Sequence, residues 1–280
     1  MADHVIVNGD LLPADGPAIT VNNRAYHYGD GLFESIRVID GKPRFLDAHW
    51  TRMVESMKAL RIDVPQGLDR QRLEEMILDL ARRNGITSGR CRLTVYRDSP
   101  GHHRPMENTG AYTIELTALA DPVYKLNERG LSVDIYAEMR KPVNVLAVHK
   151  TINCLYYVMA SLWSKERGLD DCLLQNDRGN IIESGSGNLF IVSNGVLYTP
   201  SLTDGCVGGV MRMQVSNLAL ANGVKVYECS LNPQNLLAAD ELLFTNAIRG
   251  IQWVQTYRTK RYTHRMSQQL LDLLVAGAVS

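Results

Sequence analysis

The sequence predicts a mixed α/β protein of two domains, with an α+β first half and a second half in which strands and helices alternate. Three observations lead there. At 280 residues the chain is longer than one compact core usually serves. Its β-prone runs are short and broken by Asn-Gly and Asp-Gly turns, while a few windows carry helical periodicity. A stretch with neither period, containing Asp121-Pro122, reads as a linker. The expected division is therefore 1–119, a linker at 120–129, and 130–280.

In the first domain, residues 5–21 hold short strand-like runs turned at Asn8-Gly9 and Asp15-Gly16. Residues 31–39 form a longer strand, turned at Asp40-Gly41 into Pro43-Arg44-Phe45. Phe45, His49, Met53 and Leu60 mark an amphipathic helix, and residues 68–83 a second one closed by Asn84-Gly85. Strands at 92–96 and 112–116 flank a polar loop. In the second domain a strand at 131–136 precedes a helix from about 152 to 167, stopped by Gly168. Strands follow at 172–175, 188–192 and 196–198, then a helix at 210–221 ended by Asn222-Gly223. Strands at 224–228 and 241–245 and a helix at 266–275 close the chain.

Apolar content of 45% and charged content of 21% are those of a globular protein, and a formal net charge of +0 favours neither nucleic acid nor an anionic membrane as partner. The longest apolar runs fall far short of a bilayer span, and the opening Met1-Ala2-Asp3-His4 is not a signal peptide, so the cytoplasm is the expected location. The five cysteines are spread out with no C-x-x-C pair, which predicts buried thiols and neither disulfide framework nor metal site.

The chemistry gathers around Glu183 to Arg212. Glu183 ends an apolar run, where an ionised acid needs a cationic partner. Gly208-Gly209-Val210-Met211 opens a helix with flexible backbone, so its N–H groups suit a phosphate. Upstream, Lys150 stands where a polar stretch meets an apolar helix; desolvation there favours a neutral, nucleophilic amine, although a lysine at a helix start more commonly just snorkels. Arg52 follows His49 by three residues, on a helix face that solvation alone would also explain. Gly185-Ser186-Gly187 lacks the third glycine of a dinucleotide fingerprint and is not the G-x-S-x-G of a serine hydrolase. His102-His103-Arg104-Pro105 reads equally as an exposed loop or as an anion-binding one over a site.

Taken together these residues resemble the class IV aminotransferases, the fold-type IV pyridoxal-phosphate enzymes. The family signature appears as Glu183-Ser184-Gly185-Ser186-Gly187-Asn188-Leu189-Phe190, then Leu197-Tyr198-Thr199, then Val207-Gly208-Gly209-Val210-Met211-Arg212. Tyr28-Gly29-Asp30-Gly31-Leu32-Phe33-Glu34, His49-x-x-Arg52, Lys150-x-x-Asn153 and Asn246-Ala247-Ile248 extend it over nearly the whole chain. The resemblance implies an α+β N-terminal domain, an α/β pseudo-barrel C-terminal domain and pyridoxal 5′-phosphate between them, in a homodimer whose neighbour lends a loop to each site. Lys150 would be the Schiff-base lysine, Glu183 the partner of the ring nitrogen, and Arg52 with the amides of Val210 and Met211 the phosphate anchor. Asn188 and Ala247 would also line the cofactor, and Phe33, His103, Arg104, Ala247 and Ile248 the substrate.

Within the family the Gly29-Asp30-Gly31 motif is similar to D-amino-acid transaminases and aminodeoxychorismate lyases, and Leu155 stands where branched-chain enzymes place a tyrosine. At the three positions where D-amino-acid enzymes hold the substrate carboxylate, this chain has Phe33, Gly101 and His103, so only the histidine is kept. Arg104, Arg90, Arg24 or Arg249 would supply the missing cation. The expectation is a transaminase acting on an α-amino acid, leaning to D-amino acids, and a 2-oxo acid. Aminodeoxychorismate lyase, branched-chain L-amino-acid transaminase and a non-catalytic pyridoxal-phosphate binder are the alternatives.

Overall fold

The computed structural model describes residues 3–16 and 19–277; Met1, Ala2, Pro17, Ala18 and residues 278–280 lie outside them, including the part of the hairpin reading that falls on Pro17 and Ala18. The chain divides into two units, Met1–Val123 with His149–Asn153, and Tyr124–Val148 with Cys154–Ser280.

The first unit contains β1 (His4–Val7), β2 (Asp10–Pro13), α1 (Arg24–Tyr28), β3 (Gly31–Ile39), β4 (Lys42–Pro43), α2 (Leu46–Leu60), α3 (Arg70–Arg83), β5 (Gly89–Arg97) and β6 (Gly110–Ala118). Its six strands pair antiparallel in the order β2-β1-β6-β5-β3-β4. Asn8 and Gly9 take the positive φ values (50° and 95°) that a tight hairpin between β1 and β2 demands. Alternation along β3 sends Leu32, Ile36 and Val38 into a core shared with Met53 and Met57 of α2 and Leu73 of α3, each burial contributing about 1.5–3 kcal/mol. Glu34 shares that inward phase and is buried as well. The opposite phase of β3 presents Phe33 and Ser35, directly across from Thr94 and Arg92 of β5.

Residues 149–153 return to this unit as an added rung. Ile152 N–H donates to the Gly31 carbonyl at 3.1 Å and Phe33 N–H to the Lys150 carbonyl at 3.0 Å, with Thr151 opposite Leu32. Those backbone groups are therefore used on a strand edge. This is why the helix expected from residue 152 begins only at Leu155.

The second unit holds β7 (Leu131–Ile135), α4 (Leu155–Glu166), β8 (Asp171–Gln175), β9 (Ile181–Ser184), β10 (Asn188–Ser193), β11 (Val196–Pro200), α5 (Val210–Ala221), β12 (Val226–Cys229), α6 (Pro233–Ala238), β13 (Glu241–Asn246), β14 (Gly250–Tyr257), β15 (Lys260–Arg261) and α7 (Arg265–Gly277). The path β12-β11-β10-β13-β14-β7-β8-β9 mixes parallel and antiparallel pairs. It curls until its two ends meet, where Ile181 N–H at one edge donates to the Leu231 carbonyl, just past β12, at 2.7 Å. The result is an α/β pseudo-barrel filled by Leu173, Ile181, Leu189, Leu242, Phe244 and Val254. Buried Glu241 caps α7 from β13, accepting from Met266 N–H at 2.8 Å and Ser267 N–H at 3.1 Å. No helix among the described residues is long and apolar enough to cross a membrane.

Candidate active site

In the first unit the backbone sets the position of Lys150 through the rung on β3, three residues ahead of Asn153. Asn153 Nδ2 donates to the Gly29 carbonyl at 2.9 Å, and a β-carbon on Gly29 would meet Asn153 Oδ1 at 2.6 Å. Gly29 also has φ of 63°, so both sterics and backbone conformation require glycine. The Lys150 ammonium lies 4.3 Å from the centroid of the Phe33 ring, and the Arg92 guanidinium lies 4.0 Å from the same ring.

Arg52 is oriented by a buried acid. Its Nε donates to Glu34 Oε1 at 2.8 Å, a second contact joins its Nη2 to Oε2, and His49 Nδ1 lies 2.7 Å from Oε2. Burial alone would push the Glu34 carboxyl up, but the Arg52 charge and the His49 hydrogen bond outweigh it and hold the group at about 2. Arg52 is thereby fixed in plane as well as in place.

Asp30, at the centre of Gly-Asp-Gly, accepts from Arg24 Nε at 2.8 Å and Arg97 Nε at 3.0 Å. Arg24 in turn donates to the carbonyls of Gly101 and His102 at 2.9 and 2.6 Å, pinning the loop that the sequence left open between an exposed and an anion-binding one. His103 and Arg104 on that loop are exposed, with the His103 ring 5.2 Å from that of Tyr28. Of the proposed carboxylate cations, Arg24 thus ties the loop down, and Arg90, exposed, reaches Ser35 Oγ at 3.3 Å.

In the second unit Glu183 lies buried within β9. Its Oε1 accepts from Lys141 Nζ at 2.7 Å and Tyr157 hydroxyl at 2.8 Å, and its Oε2 from Val207 N–H at 2.9 Å. Burial, reinforced by the Glu183 charge, pushes the Tyr157 phenol up, so it stays a donor. The remaining signature residues build the frame around the start of α5. Asn188 Nδ2 donates to the Val207 carbonyl at 2.7 Å. Thr199 Oγ1 donates to Leu189 O at 2.8 Å, and Arg212 spans Thr199 Oγ1, Pro200 O and Glu228. Helix α5 begins behind Gly209 with no side-chain cap, so the first-turn amides, Val210 and Met211 among them, point out of a twelve-residue helix at its positive end.

At the turn after β13, Asn246 Oδ1 accepts from Ile248 N–H at 3.1 Å and Arg249 N–H at 2.8 Å, while the Ala247 carbonyl accepts from Tyr124 hydroxyl at 2.9 Å. The Ile248 amide, expected to face a ligand, is thus given to Asn246. Arg249 reaches Gln252 Oε1 at 3.3 Å.

Sequence reasoning missed Lys141, Tyr157 and Arg92. Lys141 sits in Arg140-Lys141-Pro142, which has no motif, and its link to Glu183 crosses 42 positions. Arg92 had a readable signal, namely its alternation with Thr94 on one face of a strand. The thiols of Cys91, Cys172 and Cys206 are buried and pushed up to about 12, which leaves them inert at neutral pH.

In the second unit a buried carboxylate and an uncapped helix start are donor groups suited to a basic ring nitrogen and a phosphate, and in the first unit the backbone-held lysine is an amine suited to an aldehyde. The family model for amino-transferase class IV matches residues 31–257. A putative branched-chain-amino-acid aminotransferase of Methanocaldococcus jannaschii is 33% identical over 88% of this chain and 85% of its own. The D-alanine aminotransferase of Bacillus licheniformis is 28% identical over 86% and 84%. Among solved structures, the 4-amino-4-deoxychorismate lyase of Pseudomonas aeruginosa aligns with a TM-score of 0.81 and 28% identity, covering 96% of this chain and 97% of that one.

Proposed function

The chain belongs to the class IV amino-transferase family, and we propose that it is a pyridoxal-5′-phosphate-dependent transaminase moving an amino group between an α-amino acid and a 2-oxo acid, with Lys150 as its catalytic lysine. The observation that carries this lies in the second unit, a buried carboxylate beside an uncapped helix start, and the first unit by itself supplies an amine fixed by backbone. When bound, the cofactor supplies a ring that withdraws electrons from the substrate's α-carbon. Lys150 binds it and, as a released amine, moves the proton at that carbon. Glu183 pairs with the ring nitrogen. Arg52, held by Glu34, and the amides of Val210 and Met211 grip the phosphate, with Asn188 keeping the approach to α5 in shape and Ala247 lining the cofactor. The substrate meets Phe33, His103, Arg104, Ala247 and Ile248, and we add Arg92, stacked on the ring that also faces Lys150, as a cation for its carboxylate.

The finer assignment turns on Asp30. Because Arg24 and Arg97 take up its carboxylate, Gly-Asp-Gly builds the loop and carries no stereochemical information. The similarity to the Methanocaldococcus protein then favours an L-branched-chain substrate. A D-amino acid is the second reading, favoured by His103 and by the similarity to the D-alanine enzyme. Lyase chemistry is the third, favoured by the Pseudomonas lyase. As in the family resemblance, the working form is a homodimer; Leu155, Val158, Met159 and Leu162 line one exposed stripe of α4 that supports it.

The test is a spectrum. Purified protein given pyridoxal 5′-phosphate turns yellow through Lys150, and the colour bleaches with the true amino donor. L-leucine, D-alanine and aminodeoxychorismate tried in parallel separate the three readings. Lys150→Ala loses both colour and turnover, and normal turnover in that variant would sink the assignment.

A further inference from the structure

The hydrogen bonds around Glu183 are unevenly shared. Oε1 takes two, from Lys141 Nζ at 2.7 Å and Tyr157 hydroxyl at 2.8 Å, whereas Oε2 takes one, from Val207 N–H at 2.9 Å. Two bonds fill the usual capacity of a carboxylate oxygen. The Lys141 ammonium is equally committed, donating also to Ala147 O and to the Tyr157 hydroxyl, each at 2.9 Å. Lysine, tyrosine and glutamate therefore form a closed network with an unsaturated position on Oε2.

The other titratable groups facing this carboxylate are Tyr156, Tyr157 and Cys206. Burial pushes all three up, Cys206 to about 12, so none carries charge near neutral pH. Arg212, on α5, is engaged with Glu228, Thr199 and Pro200. Lys141 is the cation on the carboxylate itself.

We propose that Lys141 is a positioning residue for the cofactor: it carries the counter-charge of Glu183 until the ring nitrogen arrives, and it leaves Oε2 as the oxygen that receives that nitrogen's proton. A buried carboxylate stripped of its cation takes up a proton instead. Without Lys141, binding a cofactor that already carries its ring proton must expel one. With Lys141, the carboxylate is ready and no such proton leaves. The inference rests on the cofactor assignment above.

The experiment is calorimetric titration of apoprotein with pyridoxal 5′-phosphate in buffers of different ionisation enthalpy, at a pH where the free ring nitrogen is protonated. Comparing variants cancels the protons exchanged at Lys150. Lys141→Met is expected to release about one proton more than the wild type and to lose about tenfold in affinity for each pH unit of acidification, as linkage requires. Lys141→Arg restores wild-type behaviour, and Lys141→Met combined with Glu183→Gln abolishes the extra release. Lys141→Gln, which keeps a donor, replaces methionine if that variant fails to fold. A purely structural role would lower stability and leave proton release unchanged, and that result, in a variant that still binds, overturns the proposal. If the wild type itself binds no cofactor through Lys150, the functional reading fails first, and visibly so.

Discussion

The Asn188 side chain occupies the space that a β-carbon on Gly209 would need: its Oδ1 lies 1.9 Å from that position, while its Nδ2 holds the Val207 carbonyl at 2.7 Å. Gly209 has φ of −71°, which any residue adopts, so the requirement for glycine is steric. Gly209→Ala must push Asn188 off Val207 and disturb the start of α5. Cofactor affinity is expected to fall tenfold or more, matching the roughly 1–3 kcal/mol of a forced close contact. At Gly208 an added methyl would meet only Val148 O at 3.8 Å and Leu202 at 3.9 Å, so Gly208→Ala stays near wild type. Titration of the two apoproteins with the cofactor compares them directly.

Glu34 ties acid stability to phosphate binding. Its carboxyl is held at about 2 against an ordinary 4.5, so its ionised form favours the folded state. The contribution, about 3 kcal/mol, is complete above pH 4.5 and is lost as pH falls from there toward 2. Urea unfolding of wild type and Glu34→Gln should therefore differ most at neutral pH and converge in acid. The variant should also bind inorganic phosphate and cofactor more weakly, because Arg52 loses the acid that orients it.

Glu241 offers a control away from the chemistry. It accepts from the amides of Met266 and Ser267 and from the Ser267 hydroxyl, satisfying the first turn of α7. Glu241→Ala is expected to lower unfolding free energy by about 2 kcal/mol, read by denaturant melts. Cofactor affinity in the surviving fold should not change.

The exposed stripe on α4 predicts the outcome of a charge scan. Leu155 is 71% and Leu162 48% exposed, at positions i and i+7 of one face. Leu155→Asp with Leu162→Asp is expected to shift the protein from dimer to monomer in light-scattering measurements. An unchanged mass would remove α4 from the subunit interface.

What could be read in the sequence depended on how local its cause is. The bounds of α5 follow from the glycine pair before it and Asn222-Gly223 after it, and the structure places the helix at Val210–Ala221 as those residues imply. Helix α6 escaped notice although Asn232 and Asn235 form a capping box with Pro233 at the first turn, a signal present in four residues. The delayed start of α4 had no local signal: Ile152 reads as the start of the helix, yet its N–H is taken by Gly31 on a strand more than a hundred positions earlier. The signature showed where chemistry concentrates, but Arg212 and Thr199, two of its fixed members, are joined to each other and to backbone in the frame around α5. Lys141 and Glu34, the side chains that hold Glu183 and Arg52, emerge only when the fold brings distant positions together.

The rung at residues 149–153 also sets an order of events on the ribosome. The edge of β3 at Gly31 to Phe33 is complete only when Lys150 pairs with it, long after the rest of that sheet has been synthesised. A nascent chain ending at Val123 holds every other strand of the first unit yet lacks its amine. Lys150 is thus the last piece delivered to a sheet whose other strands have already been synthesised, and a product of translation that stops before residue 150 lacks it.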